Sequence, residues 1–403
     1  MSIRARQLLV LVVTCGVLGS VAGTLYGQTS TAELQQLLRN KAAFDETDFA
    51  ALHRGEAIVK LAPVQQKREV AVSGLVSLRA NADEFLRSYR ESLTQKSNAA
   101  VLEIGSFGAM PALADLQNLT LEAQDIDDLK ECVVGDCEIK LSAAMIERFA
   151  RDINWQAPDY AQQVTQLFRT MLLEYVQDYR ARGDAALIEY SDKKDGVRLA
   201  DEQQAISRVS GYLNDVLGST PQGSSELRPL EDFIVWSKIK FGLKPVIAIN
   251  HVTIYKRDQE LGPQVLTVSK QIYANHYFNS SLALTGFVTV AGPTSYLVYE
   301  NRSTADGLEG PFSKIKRGIV EKKALEGLRG ILEHSKVKLD APTLSRESAT
   351  VSASFSGGWS RRLFGGIRPL LWFVIISGLI ALLVLRSYEG RTAAVKQLKP
   401  EQR

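Results

Sequence analysis

Few side chains in this sequence combine the type and spacing that chemistry needs. The histidines, His53, His251, His276 and His334, are scattered, and no two stand at metal-ligand spacing. No G-x-S-x-G elbow, phosphate-binding glycine loop, H-E-x-x-H or dinucleotide fingerprint occurs. The acidic group Glu122, Asp125, Asp127, Asp128, Glu131, Asp136 and Glu138 lacks the glycine and the spacing of a calcium loop and reads as solvated surface. No cofactor and no metal are therefore expected. Catalysis is left open, leaning against, because no nucleophile–base pair is visible.

One stretch carries a candidate ligand site. Along Gln264 to Phe278 one face holds Leu266, Val268, Lys270, Ile272, Ala274, His276 and Phe278, and the other holds Thr267, Ser269, Gln271, Tyr273, Asn275 and Tyr277. The first face is the more apolar and is expected to point inward, taking Lys270 and His276 with it. A buried cation needs a partner or a ligand, so the two residues suggest a mostly apolar pocket with a few polar groups. The alternative is a strand end at which both side chains reach water. Ile319, on a later helix, is expected to close the pocket.

Two cysteines lie close together in Cys132-Val-Val-Gly-Asp-Cys137. In an oxidising compartment the pair reads as a structural disulfide, with Gly135 permitting the tight reversal. Two thiolates without a nearby histidine would leave a zinc site half empty, and redox dithiols are spaced by two residues rather than four.

The elements that must position these residues are legible in outline. Asp45 to His53, a helix capped at Asn81, Asp159 to Arg182 and Ala200 to Leu217 have helical signals. Strand signals run over 56–62, 69–78, 245–256, 264–278, 281–290 and 295–302, the last four as an antiparallel meander. A helix from Phe312 to about His334 follows, with an apolar stripe through Ile315, Ile319, Val320, Ala324, Leu328 and Ile331. Its Gly327 and Gly330 are read as points where it approaches the sheet. Asn118, Asn279 and Asn301 head glycosylation triplets.

Both ends point to a membrane. Arg4 and Arg6 precede an apolar run, Leu8 to Leu18, and small residues at Ser20 and Ala22, so 1–22 is expected to be a signal peptide. The stretch 346–368, rich in Ser, Gly and Arg, reads as a tether. Pro369 to Leu385 has no charge and would span about 25 Å as a helix, near the lower limit for one crossing, and is expected to be a membrane span. Five basic residues follow it and three precede it, which favours a cytoplasmic tail over 386–403 and an extracytoplasmic body over 23–345.

The 403 residues, 45% apolar and 23% charged, exclude a mostly disordered or collagen-like chain. A net charge of +3, without a basic patch interleaved with aromatics, gives no reason to expect nucleic acid as a partner.

The order of elements resembles a known family. Arg54-Gly-Glu56 to Leu78 is followed by the helix at Asn81, and Tyr296-Leu-Val-Tyr-Glu-Asn-Arg302 by Gly310-Pro-Phe and a long helix. This resembles the helix-grip fold of the START-like (SRPBCC-type) lipid-binding domains, over about a third of the chain. The resemblance implies an α+β fold in which a curved antiparallel sheet grips a C-terminal helix around an apolar cavity. A helical insertion at about 111–228 departs from it. The expectation is a single-pass membrane protein whose exported part binds a lipid or another apolar small molecule without catalysis. The alternative is an envelope scaffold acting through the insertion on an unidentified protein partner, with a hydrolase or cyclase a more distant third.

Overall fold

The computed structural model describes residues 35–36, 38–39, 44–95, 100–209, 228–240, 244–256, 264–290, 294–309 and 313–341. The signal peptide, the tether, the 369–385 span and the cytoplasmic tail expected above lie outside these residues. Among the described residues no helix is long and apolar enough to cross a membrane.

Helix α1, Glu46–His53, opens on a capping box between Asp45 and Asp48. Strands β1, Ile58–Leu61, and β2, Glu69–Leu78, form a hairpin. Helix α2, Ala82–Thr94, opens on a second capping box between Asn81 and Glu84. Strand β3, Val101–Ser106, precedes an insertion that holds α3, Ala123–Glu131, α4, Ala143–Asp152, and α5, Tyr160–Arg182. The short pair β4, Glu189–Tyr190, and β5, Val197–Arg198, and helix α6, Leu199–Val209, complete the described part of it.

The meander then runs through β6, Arg228–Ile239, β7, Val246–Lys256, β8, Val265–Ala274, β9, Phe278–Thr289, and β10, Ser295–Ala305. Helix α7, Ser313–Asp340, follows. The fold is α+β. One curved antiparallel sheet has the order β1-β2-β10-β9-β8-β7-β6-β3, so the returning strand β10 lies beside β2 and the insertion leaves and re-enters at the β3–β6 edge.

Both faces of the sheet are covered. On the inner face α2 and α7 pack against Val70, Val72, Val76, Val235, Val252, Phe287 and Leu297, with Phe85 stacked on Phe287 at 5.1 Å between ring centroids. On the outer face α3–α5 pack through Leu129, Phe149, Phe168, Leu172 and Val176 against Ile234, Trp236, Ile247, Ile249, Ile272 and Tyr273. Helix α6 adds Ile206 against Leu266, Leu282 and Leu284.

The buried stripe of α7 is Val320, Ala324, Leu328, Ile331, Leu332, Ser335 and Leu339. This corrects the expected stripe at its start: Ile315 is 64% exposed and Ile319 only half-buried. The close approach also comes from the sheet. A Cβ on Gly74 of β2 would stand 2.6 Å from Leu332 Cδ1, whereas one on Gly330 would meet nothing within 4 Å.

Candidate functional site

Strand alternation places Val246, Ala248, Asn250, Val252 and Ile254 of β7 on the inner face and Ile247, Ile249 and His251 on the outer one. In β8 the register skips one residue, since Ile249 pairs with Tyr273 but Asn250 with Gln271. Ile272 is the extra residue of this bulge, and it and Tyr273 both join the outer core. Thr267, Ser269 and Gln271, which pair with Ile254, Val252 and Asn250, lie on the inner face. Up to this bulge the two faces of β8 are therefore the reverse of the sequence expectation; past it Tyr273 lies in the outer core and Ala274 and Phe278 in the inner one, as expected. Because the insertion covers the outer face, that face is apolar too, and hydrophobicity alone does not distinguish inside from outside.

The inner face consequently carries a polar row. Asn250, Ser269 and Gln271 are 1%, 2% and 0% exposed. Asn250 Nδ2 and Oδ1, Gln271 Nε2 and Oε1 and Ser269 Oγ have no hydrogen-bond partner. Next to them Ser281, Asn301 and Ser303 satisfy one another: Asn301 Nδ2 donates to Ser281 Oγ at 3.1 Å, and Ser303 Oγ to Asn301 Oδ1 at 2.9 Å. Where the β8–β9 pairing ends, at Lys270 with Leu282, Gln203 of α6 reaches in. Its amide donates to the Gln271 carbonyl at 2.8 Å and the Ser281 carbonyl at 3.3 Å, which fixes the backbone that presents Gln271.

Lys270, His276 and Ile319 do not meet. Lys270 faces the insertion, ion-paired with Asp184 and 5.3 Å above the Tyr179 ring. Burial alone would lower its ammonium, but Tyr179 and Asp184 hold it above the ordinary value. His276 sits in the β8–β9 turn beside Tyr277, which has a φ of 61°, and pairs with Asp125 of α3 at 3.0 Å; both are buried. Ile319 lies at the margin of the α7 stripe.

Asp125 also corrects the solvated-surface reading of the acidic group, as do Asp128, paired with Lys244, and Glu122, which is 2.6 Å from Lys238. These carboxylates fasten the insertion to the sheet. Lys140 adds to that fastening. It is 3% exposed, 2.7 Å from Asp306, 2.8 Å from Asn279 Oδ1 and 3.7 Å from Asp192. Asn279 and Asn301 are buried, so of the glycosylation triplets only Asn118 presents an exposed asparagine.

A second group of titratable side chains lies on the outer face, running from the buried Tyr179 through the half-buried His251 to the exposed Asp232. Tyr179 Oη is 2.9 Å from His251 Nδ1, and His251 Nε2 is 2.7 Å from Asp232 Oδ2. The histidine bond holds the Asp232 carboxyl below its ordinary range, while burial raises the Tyr179 phenol. The chain of bonds joins α5 to β6 and β7 and can pass a proton. His251 pairs in register with Lys270, so the lysine does stand beside a histidine, but not the expected one. Cys132 and Cys137 are disulfide-bonded, with Cα atoms 4.5 Å apart and Gly135 at φ +85°. Among the described residues no group of His, Cys, Asp and Glu is placed to hold a metal ion.

Asn250, Ser269 and Gln271 were missed as site residues. The signal was present as the alternation of Thr, Ser and Gln at 267, 269 and 271 in an otherwise apolar strand, but it was assigned to the outer face. Comparison of the chain with protein-family models, curated proteins and solved structures finds no match.

Proposed function

We propose that the chain is a membrane-anchored extracytoplasmic module that holds an apolar or lipid-like ligand against the inner face of its sheet, without catalysis. The polar row at Asn250, Ser269 and Gln271 carries this reading. Buried polar groups are nearly always hydrogen-bonded, and each one left without a partner costs about 1–3 kcal/mol. Orphaned atoms on three adjoining residues, with Val235, Val252 and Ala283 as their register neighbours, are what remains when the partner comes from outside the chain. The helix α7 laid on the inner face of an antiparallel sheet supports the START-like resemblance, and the apolar ends of the sequence support the membrane anchor.

A second reading, an envelope scaffold acting through the insertion, is favoured by Val133 and Val134. The disulfide turn displays them 58% and 50% exposed, and its backbone is pinned to Ser191 and Asp192. Uptake of an uncharged fluorescent probe, N-phenyl-1-naphthylamine, by the full-length chain in nanodiscs separates the two. Ala283→Leu, which fills the inner face beside Ser269, should abolish the part of the uptake that exceeds empty nanodiscs. Equal uptake by wild type and variant would reject the ligand reading and leave the scaffold. The anchor is checked by reporter fusions, expected to be active in the cytoplasm after Arg403 and only outside it near Ser354.

A further inference from the structure

The donor set on the inner face specifies the kind of polar group a ligand would carry. Asn250 and Gln271 are register partners on β7 and β8, and Ser269 lies one inner-face position along β8. Each amide offers a donor and an acceptor, and a hydroxyl offers either. Their register neighbours on β6, β7 and β9 are Val235, Val252 and Ala283, none of them charged. The nearest cation in sequence, Lys270, is turned to the opposite face and engaged by Asp184 and Tyr179. A carboxylate or phosphate placed among these residues would be a buried anion without a counter-charge, which is strongly disfavoured. An ammonium would fare no better, because none of these register neighbours is a carboxylate. A group that both donates and accepts while remaining neutral would complete all three side chains.

We infer that Asn250, Ser269 and Gln271 form a head-group site for an uncharged amide- or hydroxyl-bearing apolar molecule, and that the site rejects fatty-acid anions. This rests on the ligand reading above. It moves the polar end of the pocket from Lys270 and His276, expected from the sequence, to the opposite side of β8. The site is built rather than incidental: Gln203 holds the Gln271 backbone, and the neighbouring Ser281, Asn301 and Ser303 bond to one another rather than to the two amides. A side chain kept in this state serves binding at the expense of stability. Replacing it by an apolar group of similar size should therefore stabilise the unliganded protein while removing recognition.

Binding of octanamide, octanol and octanoate to the full-length chain in nanodiscs tests this, with empty nanodiscs subtracted. The variants are Asn250→Leu, Gln271→Met and the double variant, and their thermal unfolding is followed by tryptophan fluorescence. At neutral pH octanamide and octanol should bind at least about tenfold tighter than octanoate. The preference should narrow as octanoate becomes protonated. The double variant should melt higher than wild type and lose the octanamide preference. Octanoate binding as tightly as octanamide at neutral pH would overturn the neutral-head inference while keeping the ligand reading. Failure of all three to bind would overturn both. Unaltered octanamide binding in the double variant, or a lowered melting temperature, would remove these residues from the site and make their role structural.

Discussion

Asn250 and Gln271 face one another across β7 and β8 on the inner side of the sheet, both fully enclosed and neither amide hydrogen-bonded. Lys270 and His251, the next register pair, point the other way and are engaged by Asp184 and Tyr179 of the insertion and by Asp232 of β6. The same two strands thus present a neutral, unsatisfied surface inward and a charged, satisfied one outward. A mechanism built on the outward residues would concern docking of the insertion. One built on the inward residues concerns a guest.

The two buried-side lysines should respond differently to loss of charge. Lys140→Met removes the buried cation between the buried Asp192 and the half-buried Asp306, and breaking such a buried pair costs about 3–5 kcal/mol. Lys270→Met releases Asp184, which is 67% exposed and simply rehydrates, so the cost should be under about 1 kcal/mol. Uptake by Lys270→Met should equal wild type. Urea unfolding and probe uptake check both statements, and a loss of uptake in Lys270→Met would return that residue to the site.

Two glycines differ in what an added methyl would meet. At Gly74 it would press on the ends of Leu332 and Leu328, flexible side chains that can shift. At Gly105 it would stand 2.5 Å from Trp236 Nε1, and the indole is held there by a 2.9 Å bond to the Asp115 carbonyl. Gly105→Ala should therefore cost more than Gly74→Ala, about 3 kcal/mol against about 1 kcal/mol. Chemical denaturation of the two variants tests the order, and a larger loss at Gly74 would contradict the packing described for α7.

The strand and helix order was largely legible because caps and alternation are local. Asp45, Asn81, β2, the β8–β10 part of the meander and the helix ending at Gly183 all followed from neighbours in sequence. Strand β6 was not legible. Its Phe233-Ile234-Val235-Trp236 run is apolar on both sides because both faces of the sheet are covered, and Pro229, Glu231 and Asp232 precede it. The facing of β8 before its bulge failed for the same reason, and because a one-residue bulge that reverses the alternation leaves no local mark. Asp125 looked solvated because its partner, His276, is remote in sequence, and a pairing across that distance leaves no local mark. The site was hidden with it, since its residues are the less apolar side of a strand.

His334 gives the fold a pH dependence. Burial, with Lys338 nearby, pushes its imidazole down to about 4, and its Nε2 has no partner. The neutral ring is favoured in the folded chain, so the unfolded chain binds more protons between about 4 and 6.5. Stability should be complete above pH 6.5 and fall as the pH drops toward 4, by about 1–2 kcal/mol after allowance for the ring's partial exposure. His334→Leu should flatten that slope. Denaturation midpoints measured across this range with an unchanged slope in the variant would assign the effect elsewhere.

Native mass spectrometry of the full-length chain, purified from its own membranes in mild detergent and released in the gas phase, tests the central claim most directly. The account predicts an added mass on the wild-type chain that belongs to an uncharged apolar molecule and is missing from the Asn250→Leu/Gln271→Met double variant. A wild-type chain that carries no added mass, or one carrying the same mass with both amides replaced, would contradict it.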